Sequence, residues 1–415
     1  MSALLYIDPG TGSMLFSILI GATATLYFLA RAAVLKLKFL FSGKRGATDS
    51  SARTFVIYNE DRRYQSVFRP VLEAFERHKT EVSYFTSCKD DEAFGAGYTY
   101  VKPEYIGEGN SAFARLNLLS ADIVLATTPG LGVYQWKRSR NVRHYAHILH
   151  SPGDATMYRL FGVDYFDSIL LTGSYQKDDV RYLEKARGLK EKDLPVVGCT
   201  YLDVFREKLA EIPAEENHSF TVLLSPSWGP SGILSRYGES LLSPLADTGW
   251  NIIVRPHPQS SVSEKDMLDR LTEKFAGRKN VVWDYSRDNI ATMKKADIMI
   301  SDFSGIIYDF TFLCDKPVMY VNADIELALY DAYDVPGQKP WQVNAVKEFG
   351  IELKAEQFPQ IKEVIQNASD SEELARLRAK AKAAAWECEG EAGENVYEFM
   401  VRKREELVAE NNEKQ

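Results

Sequence analysis

The chain has 415 residues, 45% of them apolar and 26% charged, which is long enough for more than one globular domain. A formal net charge of -8 excludes the broad basic surface of a nucleic-acid binder, but not local phosphate binding at a helix start. The four cysteines, Cys88, Cys199, Cys314 and Cys388, are far apart with no C-x-x-C pair, which argues against zinc or a thiol–disulfide motif and for a reducing compartment.

The amino terminus differs from the rest. From Ser13 to Ala30 the chain carries no charged residue, and such a run of about 18 residues spans a bilayer core as a helix. Arg31, Lys36, Lys38, Lys44 and Arg45 follow it, whereas only Asp8 precedes it. The positive-inside rule then puts the amino terminus outside and the remainder in the cytoplasm. A cleaved signal peptide fits poorly, because the basic residues follow the apolar core. The alternating Lys36-Leu37-Lys38-Phe39-Leu40-Phe41 suits a helix lying on the membrane surface, in place of the span or after it. Residues 1–45 are therefore read as a membrane anchor with a basic flank, and the small polar stretch Ser42–Ala52 as a linker.

Beyond the linker, short apolar runs alternate with amphipathic ones. Strands are predicted over Thr54–Tyr58, Val82–Phe85, Ile123–Ala126 and Ile169–Thr172, with a helix over Ser66–His78. The apolar run Ala146–Leu149 suggests a further strand, running into His150-Ser151-Pro152-Gly153-Asp154. His144, His147 and His150 are spaced three apart, but a strand turns His147 away from the other two, so a shared metal is not favoured. At the strand's end, His150 is a candidate general base for a hydroxyl nucleophile; its alternative is a histidine packed under the loop.

Glu207–His218 is charged and contains Pro213, as suits a domain boundary. After it, strands are predicted over Thr221–Leu224, Ile252–Val254, Val281–Trp283, Ile298–Ile300 and Val318–Val321, with helices over Ser263–Phe275 and Asp288–Lys295. The alternation indicates an α/β chain with two Rossmann-like domains, over 50–212 and 218–370, and a cleft between them. Residues 371–415, rich in Ala, Glu and Lys, are expected to be helical. Three polar loops follow strands here. Leu223–Gly232 contains Ser227. Ile252–Gln259 holds Arg255 and His257 between Pro256 and Pro258, which restrict the backbone and fix a cation beside an imidazole. Ser301-Asp302-Phe303-Ser304-Gly305 leads into an apolar helix. There the N–H groups of Ser304 and Gly305, the helix dipole and the hydroxyls of Ser301 and Ser304 can meet a phosphate; alternatively Asp302 or Ser304 only caps the helix.

The sequence has no G-x-x-x-x-G-K-[ST] loop, no G-x-G-x-x-G after the first strand and no D-x-D triplet, so neither a P-loop nor NAD nor a carboxylate-held metal is indicated. Taken in order, the polar loops resemble the CDP-glycerol glycerophosphotransferases, enzymes of teichoic acid polymer synthesis. The similar segments are Leu149-His150-Ser151-Pro152, Ser225-Pro226-Ser227-Trp228-Gly229, Arg255-Pro256-His257-Pro258, Ser301-Asp302-Phe303-Ser304-Gly305-Ile306-Ile307-Tyr308-Asp309 and Lys316-Pro317-Val318. Four features depart from the family pattern: Ser151 and Asp315 replace glycines, Gly229 replaces an arginine, and the lysine often found after the proline is missing at Gly153.

This resemblance implies a GT-B fold with an amino-terminal acceptor domain and a carboxyl-terminal donor domain. It implies His150 and His257 as catalytic residues, with Arg255, Ser227, Ser301, Asp302, Ser304, Gly305 and Asp309 binding the CDP-linked donor and no cofactor. The acceptor is expected to be lipid-linked or a cell-envelope polymer, met at the cytoplasmic face of the cell membrane. Two other readings remain open: a GT-B glycosyltransferase or UDP-sugar epimerase-like enzyme, and a membrane-tethered nucleotide-binding protein without turnover.

Overall fold

The computed structural model describes residues 52–213, 218–286, 288–323, 325–335, 340–368 and 371–413. The anchor expected over Ser13–Ala30 lies outside the described residues. Among the described residues no helix is long and apolar enough to cross a membrane.

Two six-stranded sheets organise the body. The first contains β1 (Arg53–Asn59), β2 (Val82–Thr86), β3 (Val101–Tyr105), β4 (Ser120–Ala126), β5 (Asn141–Ile148) and β6 (Ser168–Leu170), in the order β3-β2-β1-β4-β5-β6. The second contains β7 (Thr221–Leu224), β8 (Asn251–Val254), β9 (Val281–Trp283), β10 (Ile298–Ser301), β11 (Val318–Tyr320) and β12 (Ile351–Glu352), in the order β12-β11-β10-β7-β8-β9. All pairings within both sheets are parallel. The central strands β7 and β10 are buried at every residue, the mark of a sheet covered on both faces.

The two orders are the same Rossmann order read from opposite edges. In each, the first strand lies beside the fourth, Val56 opposite Val124 and Leu224 opposite Ile300. Connections leave such a pair in opposite directions, which opens a crevice at the carboxyl ends of the strands. The chain therefore presents Glu60–Tyr64 and Thr127 at one crevice, and Ser225–Ser227 and Asp302–Gly305 at the other.

Two of the four edge strands, β3 and β12, are absent from the sequence prediction. β3 carries Lys102 and Pro103 and is only partly buried, and β12 has two residues, so neither shows an apolar run. The strand through Ala146 ends at Ile148, so the expected side-to-side alternation stops short of His150. His144 meets Ser168 Oγ at 2.7 Å, while His147 sits between the Tyr158 and Phe166 rings with neither nitrogen bonded. Burial pushes the His147 pKa down to about 3. No cluster able to hold a metal occurs among the described residues.

The carboxyl-terminal segment forms two helices with different partners. Glu372–Ala385 buries Ala381 and Ala385 in the second half, beside Met299 and Phe310. Ala392–Glu413 buries Val396, Phe399 and Met400 in the first-half core, against the Gln65–Arg77 helix. Asp203 holds the crossing between them, accepting from Trp386 Nε1 at 3.0 Å and from the N–H groups of Gly390 and Ala392 at 2.8 and 3.2 Å.

Two buried carboxylates fasten the halves. Asp154, in the loop after β5, accepts from the N–H groups of Trp341 and Gln342 at 3.0 and 2.8 Å, capping the Trp341–Phe349 helix. Burial nevertheless raises its pKa to about 6. Asp331 accepts from the Phe161 N–H at 2.7 Å and from Arg187 at 2.9 Å. Arg187 also bonds Asp164 at 2.6 Å and Asp334 at 2.7 Å. Phe161 takes a φ of 66° to aim its N–H at Asp331, a conformation that bulky side chains avoid.

Arg187→Met is expected to destabilise the protein by about 3–5 kcal/mol, because it leaves buried carboxylates without their cation. Denaturant unfolding checks this; a change below about 1 kcal/mol would mean that the ion cluster is solvated like a surface pair.

Candidate active site

The donor-side wall begins with a strand-end carboxylate. Asp302 accepts from the Ser227 N–H at 2.9 Å, the Ile233 N–H at 3.0 Å and its own neighbour Phe303 at 2.7 Å. Ser301 donates its hydroxyl to the Ser225 carbonyl at 2.6 Å. Both side chains are thereby occupied in folding Ser225–Gly232 against the end of β10. Ser227 is buried in that loop.

What the turn leaves open is the helix start. Ile306–Cys314 has Gly305 as its N-cap and no side-chain cap. A Cβ built on Gly305 would meet nothing within 4 Å, so this first turn is open beside Gly305. Helix-start N–H groups facing such space are suited to an anion.

Asp309 lies further along the same helix and does not reach the open face. It is buried, accepts from the Tyr201 hydroxyl at 2.9 Å, and burial pushes its pKa up to about 7. Tyr201, from the Thr200–Glu211 helix, is the residue that carries this connection to the cleft.

Arg255 and His257 leave the end of β8 as the paired prolines suggest. Arg255 bonds Asp284 at 2.5 Å, Ser286 Oγ at 3.1 Å and the Ser286 carbonyl at 2.7 Å. Burial tends to raise the Asp284 pKa, but hydrogen bonds from Ser286, Thr292 and Arg255 bring it down to about 2. Arg255 is therefore a clamped cation, not a mobile one. The Gln259 N–H donates to His257 Nδ1 at 3.1 Å. That bond leaves the ring proton on Nε2, so neutral His257 offers an N–H donor from that atom. Burial lowers its pKa, Asp302 and Glu264 oppose this, and Arg63 lowers it further.

These residues border a cavity of about 500 Å³ shared by both halves. Ser225, Arg255, His257 and Ser304 line one side; Arg63, Arg69, Tyr201 and Lys208 line the other. Of the nine residues expected at the site, Arg255, His257 and Ser304 line this cavity. Ser227, Ser301, Asp302, Gly305, Asp309 and His150 are not among its lining residues.

His150 lies in the first half beneath the Tyr64 ring, whose centroid is 5.1 Å away. Its Nδ1 meets the Tyr158 hydroxyl at 3.0 Å and the Thr127 hydroxyl at 3.4 Å. Burial, reinforced by the charge of Arg63, lowers its pKa to about 4. One guanidinium therefore depresses both histidines, although they belong to opposite halves. Arg63, Tyr64, Tyr158 and Tyr201 escaped the sequence reading because each lies in no catalytic pattern and meets the site only after folding.

Two departures from the expected motifs have local backbone causes. Asp315 adopts φ 49° at the C-cap of Ile306–Cys314, a left-handed position that glycine favours and aspartate tolerates. Gly229 has φ 92°, which an arginine would adopt only with strain, so this loop takes a course suited to glycine.

Titration of the histidines by NMR is expected to show His150 protonating near pH 4 rather than 6.5. Arg63→Met removes a positive charge that disfavours each imidazolium, so the His150 and His257 pKa values should both rise. A wild-type His150 titrating near 6.5 would contradict the buried environment described.

The comparisons with known proteins follow this geometry. Residues 210–401 match the family model described as CDP-Glycerol:Poly(glycerophosphate) glycerophosphotransferase. No curated protein matches the chain in sequence. Among solved structures, the wall teichoic acid polymerase TagF, soaked with CDPG, aligns with a TM-score of 0.55 at 12% identity, covering 92% of this chain and 97% of that one. The UDP-GlcNAc 2-epimerase of Methanocaldococcus jannaschii aligns with a TM-score of 0.53 at 11% identity, covering 84% and 99%. A putative UDP-N-acetylglucosamine 2-epimerase from Listeria monocytogenes aligns with a TM-score of 0.54 at 12% identity, covering 83% and 94%. At such identities the structures establish a common fold, and the family model distinguishes among its enzymes. By that match residues 210–401 resemble the CDP-glycerol glycerophosphotransferases, and the chain is a CDP-glycerol glycerophosphotransferase-like enzyme.

Proposed function

We propose that the protein is a membrane-associated transferase that moves glycerol phosphate from CDP-glycerol to a hydroxyl of a lipid-linked or polymeric cell-envelope acceptor. The observation that carries this reading is the shared cavity, where a helix start, a clamped arginine and a neutral histidine N–H face a second wall rich in cations. The diphosphate rests at the Ser304–Gly305 helix start. His257 donates from Nε2 and Arg255 adds positive charge as the leaving phosphate gains charge.

His150 is the base. With its Nδ1 proton donated to the Tyr158 or Thr127 hydroxyl, Nε2 takes the proton of the acceptor hydroxyl. The acceptor oxygen attacks the glycerol-bearing phosphorus, and the bond to the CMP phosphate breaks with its electron pair on CMP. A pKa near 4 keeps the imidazole unprotonated at neutral pH, as a base requires, although it limits the driving force for proton transfer. Asp309 serves through Tyr201 as a positioning group. The apolar run Ser13–Ala30 and its basic flank hold the catalytic part at the cytoplasmic face, where a soluble donor and a lipid-linked acceptor meet.

The histidines are expected to separate by kinetics. His150→Ala should retain donor affinity and lose transfer by roughly 10²–10⁴-fold. His257→Ala should also weaken donor binding, by about 1.5–3 kcal/mol, because it removes a partner of a charged group. Calorimetry with CDP-glycerol and single-turnover transfer separate the two effects. Normal transfer by His150→Ala at saturating acceptor would make that histidine structural.

A further inference from the structure

His150 and Tyr158 meet at 3.0 Å through Nδ1 and the phenol oxygen, yet different halves of the chain fix them. His150 comes just after β5, which is hydrogen-bonded between β4 and β6, so the first sheet places the imidazole. Tyr158 lies in the segment between β5 and β6, where the chain forms one short turn, Ala155–Met157. The backbone partners of the residues from Tyr158 to Gly162 come from the second half. The Asp331 N–H donates to the Tyr158 carbonyl at 2.9 Å, and the Leu160 N–H to the Leu329 carbonyl at 3.1 Å. The Asp331 carboxylate accepts from the Phe161 and Gly162 N–H groups at 2.7 and 3.3 Å. Arg159 and Tyr330 pair between these contacts as an isolated antiparallel bridge. A strap of the second half, residues 329–331, thus runs beside 158–162 as an added strand would. Upstream, Asp154 is bound to the Trp341–Phe349 helix, so contacts with the second half bracket Tyr158 on both sides.

The phenol is suited to decide which nitrogen of His150 carries the proton. Its ring lies 5.0 Å from that of His147 and 5.7 Å from that of His150, both edge-on. Burial raises its pKa, so the hydroxyl keeps its proton at neutral pH. The same hydroxyl bonds Thr127, whose own oxygen stands 3.4 Å from His150 Nδ1, near the outer limit of a hydrogen bond. Tyr158 is therefore the closer partner of Nδ1. A neutral imidazole carries one proton, and the hydrogen bond at one nitrogen determines what the other offers.

We infer that Tyr158 is the positioning residue of His150, accepting the Nδ1 proton so that Nε2 stays free, and that the Asp331 strap of the second half holds Tyr158 to this task. The phenol passes its own proton toward Thr127 Oγ1. The first half supplies the base, and the second half sets its tautomer. The inference rests on the reading of His150 as the base and adds what orients that base and from which half.

The test is NMR of the full-length protein labelled with ¹⁵N-histidine, which reports the His150 tautomer directly, with single-turnover transfer measured on the same samples. The wild type is expected to carry the proton on Nδ1. Tyr158→Phe should move it toward Nε2 and slow transfer at saturating acceptor by about five- to tenfold, the size of one lost hydrogen bond. Its CDP-glycerol affinity and half-saturating acceptor concentration should not change. Asp331→Asn should move tautomer and rate in the same direction with the Tyr158 phenol intact. If that variant does not fold, Asp331→Glu, which keeps the charge beside Arg187 but displaces the acceptor from the Phe161 N–H, carries the same expectation. An Nδ1 proton that stays in place in Tyr158→Phe would refute the positioning role while leaving His150 as the base. A tautomer lost in Tyr158→Phe but unchanged in the folded Asp331 variant would refute the control by the second half. A wild-type proton on Nε2 would overturn the base itself, and the inference with it.

Discussion

The carboxylate of Asp302 is where the second sheet becomes a binding wall. It sits at the end of β10 and gathers the N–H groups of Ser227, Ile233 and Phe303. A buried carboxylate needs such donors, since an unpaired charge in the core is costly. In satisfying itself it draws the loop after β7 onto the loop after β10. The helix start at Ser304–Gly305 is left uncapped beside them, and His257 comes within the field of the same carboxylate. Anion binding at this wall depends on the Asp302 carboxylate being occupied by these backbone N–H groups.

The opposite wall depends on the fastenings between the halves. Asp154 and the Arg187 cluster tie the loops after β5 to the segment before and within the Trp341–Phe349 helix. The last helix crosses back to the first-half core. Such cross-links restrict how far the walls can separate. They hold His150 and His257 where the charge of Arg63 acts on both. Burial, reinforced by this shared cation, lowers both imidazole pKa values, which suits a site where one accepts a proton and the other donates a hydrogen bond.

Much of this was legible from the chain. The central strands are short apolar runs buried on both faces, so β7 coincides with its predicted range and β1, β2 and β8 differ by a residue or two; the edge strand β9 also coincides, because Val281-Val282-Trp283 is itself an apolar run. The edge strands β3 and β12 were not legible, because half-buried residues with a proline or a two-residue bridge leave no periodic signal. At the site, the Ser-Asp-Phe-Ser-Gly turn was recognisable as a strand end opening a helix. The division of labour within it was not. Ser301 and Asp302 spend their side chains on the neighbouring loop, a contact spanning some seventy positions in the chain that no local pattern encodes. The partners of His150, namely Arg63 and Tyr64 of one turn, Thr127 and Tyr158, likewise come from three separate segments of the chain.

The most direct measurement of the account is the nucleotide released when the full-length protein meets a panel of donors and a lipid-linked hydroxyl acceptor, read by mass spectrometry. The account requires CMP from CDP-glycerol, with an equal amount of glycerol phosphate gained by the acceptor. Release of UDP or formation of an epimer from UDP-N-acetylglucosamine, with CDP-glycerol left intact, would contradict it.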